Sequence, residues 1–236
     1  MVDLEMINLL KRYLRMSQEE LMKTLYEELH NYYTTIKAGP VESFIIAKGN
    51  LPIVLVAHMD VVFNSPRKTM AIYYDTEEEI MWSPDGLGTD DRAGITMIML
   101  LLKNTNYRPW ILFTTDEESD LRGAQFAASM LNFHPNFVIE LDRQGRGESV
   151  FYKCNNTAFE KYINSFGFHT CQGTYTDISI LCPTWDCAGV NLSVGYYEEH
   201  SYIEYWSAID FRYTYEMLLK ILKDCKNTSK FKYKEK

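Results

Sequence analysis

The sequence predicts an α/β protein in three layers, with helices packed on both faces of a mostly parallel central sheet. Two observations carry this expectation. From about residue 91 helical stretches alternate with strand-like ones, and the strand segments WILFTT (110–115) and NFVIELD (136–142) are short, unbroken apolar runs of the kind that bury both faces. The chain has 236 residues, 46% of them apolar. That is enough to bury a full core without staples, and no linker or internal repeat divides it. One domain over 1–236 is expected, with N-terminal helices over 1–33 and a Lys-rich, frayed tail over 226–236.

In chain order, Leu4, Ile7, Leu10 and Leu14, then Leu21, Leu25 and Leu29, recur at helical spacing, and Ser17 with Glu20 forms a capping box that restarts the helix after Met16. From Val41 the period changes. VESFIIAK and PIVLVAH flank a Gly49-Asn50 turn and predict a hairpin, and AIYYDTEEEIMW (71–82) predicts another. Helices follow from about Asp91 to Leu102 and Leu121 to Leu131, and a last one from Ile209 to about Leu222.

Composition excludes several classes. With 24 Lys plus Arg against 32 Asp plus Glu the formal charge is −8. Neither nucleic acid nor an anionic membrane surface is therefore an expected partner. The longest apolar run, Ile95 to Leu102, is far too short for a membrane-crossing helix. Five scattered cysteines do not form a disulfide framework, and the N-terminal stretch lacks the pattern of an export signal, so a cytoplasmic location is expected. Cys182 and Cys187 are too few for a four-ligand zinc site and read as buried thiols. His30, His134 and His169 read as ordinary, and the 17 tyrosines as core and crevice packing.

The chemistry gathers at strand ends. PIVLVA runs into His58-Met59-Asp60, WILFTT into Asp116-Glu117-Glu118, and NFVIEL into Asp142, and ligands of open α/β sheets bind outside the carboxyl ends of strands. GLGTDDRAG adds Asp90 and Asp91 at a helix start. So many carboxylates require protons or cations between them, and oxygen donors mixed with imidazole, without thiolate, suit Zn²⁺, Co²⁺ or Mn²⁺. His58 and Asp60 fall on one side of an extended chain, so Asp60 can hold the imidazole. Glu117 and Glu118 point apart, so one can ligate while the other moves protons.

Together, His58-x-Asp60, the run Gly88 to Gly94, Thr115 to Glu118 followed by Leu121 to Ala124, Asp142 and the late His200 resemble the co-catalytic dinuclear zinc exopeptidases, which include aminopeptidases, tripeptidase T and glutamate carboxypeptidase. The resemblance spans residues 52–204 and implies the zinc-exopeptidase (phosphorylase/hydrolase-like) fold. It also implies two divalent ions per chain, zinc or else cobalt or manganese. Asp90 would bridge them, since the family's bridging Asp is followed by any residue and then a basic one, here Arg92. His58 and Asp142 would complete one site, Glu118 and His200 the other. Glu117 would be the general base and Asp60 would orient His58. Glu140, on the strand face of Asp142, is the alternative to it. Tyr175 and Asp177 match a substrate-orienting segment loosely.

Two departures from the family pattern follow from the spacing. The stretches from Asp60 to Asp90 and from Asp142 to His200 are each too short for a lid domain, so a lidless protein is expected. An oxyanion-stabilising group must then come from elsewhere, and Tyr175, Tyr196 and Tyr197 are candidates by position. The expected activity is aminopeptidase-like hydrolysis of short peptides. The alternatives are N-acyl amino acid deacylation or carboxypeptidase-type hydrolysis at the same site, and a catalytically silent scaffold. A homo-oligomer could shield the open crevice.

Overall fold

A computed structural model describes residues 2–63 and 67–235; Met1 and Lys236, the outer ends of the predicted helices and tail, lie outside the described residues. The chain opens with α1 (Val2–Leu14) and α2 (Gln18–Leu29). Both arms of the capping box form: Glu20 N donates to Ser17 Oγ at 3.1 Å and Ser17 N to Glu20 Oε2 at 3.0 Å. Leu10, Leu14, Leu21, Leu25 and Leu29 are buried as their spacing predicts, whereas Leu4 is exposed.

The strands follow as β1 (Ile36–Ala38), β2 (Phe44–Ala47), β3 (Ile53–His58), β4 (Tyr73–Asp75), β5 (Ile80–Trp82), β6 (Trp110–Thr114), β7 (Phe137–Arg143), β8 (Glu148–Val150), β9 (His169–Cys171), β10 (Gly189–Ser193), β11 (Tyr196–Tyr197) and β12 (Tyr205–Ser207). Between and after them come α3 (Thr89–Asn104), α4 (Glu117–Asp120), α5 (Arg122–Met130), α6 (Thr157–Asn164), α7 (Ile178–Thr184) and α8 (Ala208–Asp224). The main sheet has the order β1-β2-β6-β3-β7-β10-β8-β9. Its central four, β6, β3, β7 and β10, are mutually parallel, and every residue of β3 is buried. One face carries α1, α3 and α8; the other carries α5 and α7. The fold is the three-layer α/β arrangement that the sequence predicts. A second, antiparallel sheet runs β11-β12-β5-β4, and its β4–β5 pair is the predicted 71–82 hairpin.

Two expectations are corrected. β2 and β3 form no hairpin, because β6 lies between them, antiparallel to β2 and parallel to β3. The Gly49-Asn50 turn instead crosses the start of β6: Asn50 N and Leu51 N both donate to Arg108 O, at 2.8 and 3.1 Å, and a Cβ at Gly49 would lie 2.2 Å from that oxygen. Continuous apolar runs lack the alternation that fixes a neighbour, so proximity in sequence does not decide pairing. The tail is not frayed either. Phe231 packs against the rings of Phe137, Phe159 and Tyr162, its N–H donates to Asn136 O at 2.9 Å, and its carbonyl accepts from Ala188 N at 2.8 Å. The signal was the alternation Lys230-Phe231-Lys232-Tyr233-Lys234, a strand-like period that a count of lysines hides.

α3 is buried from Thr89 to Leu102, which explains its nearly uniform apolar sequence. It approaches β7 so closely that a Cβ at Gly94 would stand 2.0 Å from Leu141 O. That contact brings the helix start, with Asp90 and Asp91, to the carboxyl ends of β3 and β7.

Candidate metal centre

Four loops leave the carboxyl ends of the parallel strands and meet at one place. β3 ends on His58, β6 is followed at once by Thr115-Asp116 and α4, β7 carries Asp142 near its end, and the chain beyond β10 returns with His200. The first turn of α3 is not regular: Asp90 and Asp91 have non-helical φ/ψ, and the peptide bond between them is cis.

The Asp90 carboxylate faces two imidazoles. Its Oδ1 lies 3.0 Å from His58 Nε2, and its Oδ2 lies 3.2 Å from His200 Nε2. Each imidazole meets one further carboxylate. His58 Nε2 is 3.5 Å from Asp142 Oδ1, and His200 Nε2 is 2.9 Å from Glu118 Oε2. The five residues His58, Asp90, Glu118, Asp142 and His200 therefore come together as two sets that share Asp90. His58 is 1% exposed, whereas the His200 side chain is half-exposed. Asp91 takes no part in these contacts; it accepts from His58 N at 3.2 Å and Gly94 N at 2.9 Å, an anchor for the backbone.

Asp60 Oδ1 lies 3.2 Å from His58 Nδ1 and accepts from Glu117 N at 3.1 Å, while Oδ2 accepts from Glu118 N at 3.0 Å. One carboxylate thus sets both the imidazole and the start of α4. Burial alone would raise its pKa, but the His58 bond and charge and the two backbone N–H groups hold it at about 2. Asp142 Oδ1 accepts from Tyr196 Oη at 3.1 Å and Oδ2 from Thr176 Oγ1 at 3.2 Å.

Burial, reinforced by neighbouring carboxylates, shapes the rest of the electrostatics. Asp90 is pushed up to about 7 by burial and the Asp142 charge. Glu117 is pushed up to about 9 by burial and by Asp142, Asp177 and Asp90, against the pull of His58. His200 is raised to about 11 by its bonds to Asp90 and Glu118. For His58 burial works downward, and the charge and hydrogen bonds of its three carboxylate neighbours outweigh it. Without a cation, Asp90, Glu117 and His200 hold protons that ordinary carboxylic acids and imidazoles would shed, a strain that bound positive charge would relieve. Ligand atoms of His58, Asp90 and Glu118 lie within 4.8 Å of one another, close enough to surround one ion. The oxygen and imidazole donors suit zinc or its neighbours in the first transition row.

Several residues behave differently from their sequence expectation. Asp177 is fully buried, accepting from Thr114 Oγ1 and leaving Oδ1 unpartnered, so it supports the site from within rather than facing the crevice. Burial and the charges of Asp142 and Asp60 raise it to about 7. Glu140 is also buried, with Oε2 unpartnered, while Asp142 is the residue of this strand that meets His58. Among the oxyanion candidates, Tyr196 is engaged with Asp142 and Tyr197 donates to Asp210 Oδ2 at 2.7 Å, whereas Tyr175 is exposed.

Sequence reasoning missed Glu204. Buried four residues after His200, it accepts from Gly88 N at 2.7 Å, Thr89 N at 2.6 Å and the Thr89 hydroxyl, tying the His200 loop to the turn that carries Asp90. A carboxylate on the N–H groups of a helix start is a general preference. Here, however, the partner is 115 residues away and nothing local marks it.

No protein-family profile matches the chain, and no curated protein sequence does. Solved structures do. A tripeptidase from Staphylococcus aureus aligns over 96% of this chain and 99% of its own with a TM-score of 0.78 at 14% identity. The aminopeptidase PepT from Bacillus cereus aligns over 94% and 98% with a TM-score of 0.74 at 14% identity. The TET1 peptidase from Pyrococcus horikoshii, which can assemble into a tetrahedron or a large octahedral shell, aligns over 90% and 98% with a TM-score of 0.69 at 15% identity. The likeness shows the fold. At these identities it does not transfer an activity.

Proposed function

We propose that this chain is a metallopeptidase whose two-ion centre hydrolyses the amide bonds of short peptides, most simply from the amino terminus. One observation carries the reading: the two oxygens of Asp90 face two separate imidazole–carboxylate pairs, His58 with Asp142 and His200 with Glu118. That is the arrangement a bridging carboxylate needs. In this reading Asp90 serves both ions, His58 and Asp142 hold one, and Glu118 and His200 hold the other. The ions, zinc or else cobalt or manganese, would supply a Lewis acid for the scissile carbonyl and a water of lowered pKa.

Glu117 is the base. It precedes Glu118 on α4, takes no part in the two imidazole–carboxylate pairs, and has its proton affinity raised by burial. Burial favours its protonated form while the site lacks cations; with two cations bound, their charge would restore the carboxylate, which could then accept a proton from the attacking water and return it to the departing amine. Asp60 fixes the His58 ring and the backbone of both glutamates at once, so the base and the ligands keep one register. Tripeptidase and aminopeptidase activities among proteins of the same fold support a peptide substrate. The reading includes a single, lidless domain, a cytoplasmic setting consistent with five free cysteines, and a homo-oligomer shielding the crevice.

Glu117→Ala tests it. Hydrolysis of a panel of di- and tripeptides, amino acid para-nitroanilides and N-acetyl amino acids should fall about 10²- to 10⁴-fold while metal content stays at the wild-type level. Wild-type turnover in this variant would remove Glu117 from the mechanism. Cleavage of the N-acetyl amino acids alone would turn the assignment to a deacylase.

A further inference from the structure

We propose a third cation site, on the outer edge of the main sheet, in which Glu148, His169 and Cys171 hold a thiophilic divalent ion such as Zn²⁺. β8 and β9 pair in parallel with Glu148 opposite His169 and Val150 opposite Cys171. Side chains two residues apart on a strand share a face, so Glu148, His169 and Cys171 stand on one side of this two-stranded edge. One ligand atom from each lies within 4.8 Å of the other two. The site shares no donor with the Asp90 centre, and β9 is four strands from β3 in the sheet order. Each of those steps spans about 4.8 Å, so the two centres cannot share an ion.

The donors stand on fixed backbone. Glu148 N donates to Ser193 Oγ at 3.0 Å, His169 N donates to Gly147 O at 2.9 Å, and Arg143 Nε donates to Glu148 Oε2 at 2.9 Å, which orients the carboxylate. One sulfur, one imidazole nitrogen and one carboxylate oxygen select against Mg²⁺ and Ca²⁺, which want oxygen alone, and suit Zn²⁺ or Co²⁺. On binding, the Cys171 S–H bond breaks, its proton leaves to solvent and the sulfur's electron pair goes to the metal; nothing is oxidised or reduced. Thiolate and carboxylate bring two negative charges to the ion, the second of them shared with Arg143. Three protein donors leave a fourth position for water. Cys171 alone among the five cysteines is not buried. The ion would clip together two strands of three residues each at the sheet's end.

Cobalt distinguishes this site from the Asp90 centre, because thiolate-to-cobalt charge transfer absorbs in the near ultraviolet and carboxylate and imidazole donors give no such band. Titrating the full, chelator-treated chain with Co²⁺ should produce that band, and Zn²⁺ should remove it. Cys171→Ser, nearly isosteric, should abolish the band with peptide hydrolysis unchanged, and His169→Ala should weaken it. No band in the wild-type chain, or a band that survives Cys171→Ser, overturns the proposal. A second measurement needs no variant: Zn²⁺ should slow alkylation of Cys171, mapped by peptide mass, about tenfold or more, and an unchanged rate overturns the proposal as well. Loss of activity in Glu117→Ala leaves both readouts untouched.

Discussion

Asp60 couples two jobs. It holds the His58 ring and satisfies two N–H groups at the start of α4, which carries Glu117 and Glu118. Asp60→Ala should therefore weaken metal binding about 10- to 100-fold, measured by competition with a chromophoric chelator; unchanged affinity would mean that Asp90 and Asp142 suffice to orient the ring. Glu204 acts at the same scale on the other side. Glu204→Ala leaves two backbone N–H groups and a hydroxyl buried without their acceptor. The first lost bond should cost about 1–3 kcal/mol, which urea unfolding should register. His58, Asp60, Asp90, Glu117 and Glu118 were legible because each follows a recognisable strand or opens a helix. Glu204, Thr176 and the bond of Tyr196 to Asp142 were not, because the partners lie 34 to 116 residues away and hydrogen-bonding residue types are common.

Among the elements, long apolar runs were readable and short ones were not. α3, β6 and β7 fall within two residues of their predicted bounds, since burial on all sides leaves an unbroken apolar segment. β8 to β12 have two to five residues each and no clear alternation, so their existence depends on neighbours already in place. The tail shows the opposite failure, a period-2 signal masked by lysine content. Phe231→Ala removes the ring that fills the space between Phe137, Phe159 and Tyr162. The change should destabilise the chain by about 2 kcal/mol, read as a shift in the urea midpoint. An unshifted midpoint would show the tail to be loosely held.

For the whole molecule, the buried cluster makes stability depend on pH and on cations. Without metal, Asp90 and Asp177 have folded-state values of about 7, Glu117 about 9 and His200 about 11, each above its unfolded value. Such groups add stability that is complete below the unfolded value and is lost as pH rises through the folded one. The melting temperature of chelator-treated protein should therefore fall between pH 6 and pH 9. On the proposed function, divalent metal would take the place of those protons, so added zinc should raise the melting temperature more at pH 9 than at pH 6. The gain is about 2.7 kcal/mol of stability at a hundredfold excess over the dissociation constant. Scanning calorimetry at both pH values checks this, and a melting temperature insensitive to pH after chelation would contradict it.

The sequence alone determined the layer architecture and the gathering of carboxylates and imidazoles at one end of the sheet, because apolar runs report burial and strand ends fix where the residues that follow them stand. Only the tertiary structure decided which strand borders which, how the two oxygens of Asp90 divide between His58 and His200, and which distant groups hold them there. Those choices rest on contacts between segments remote in the chain, and a linear pattern of residue types carries no information about a partner it cannot reach.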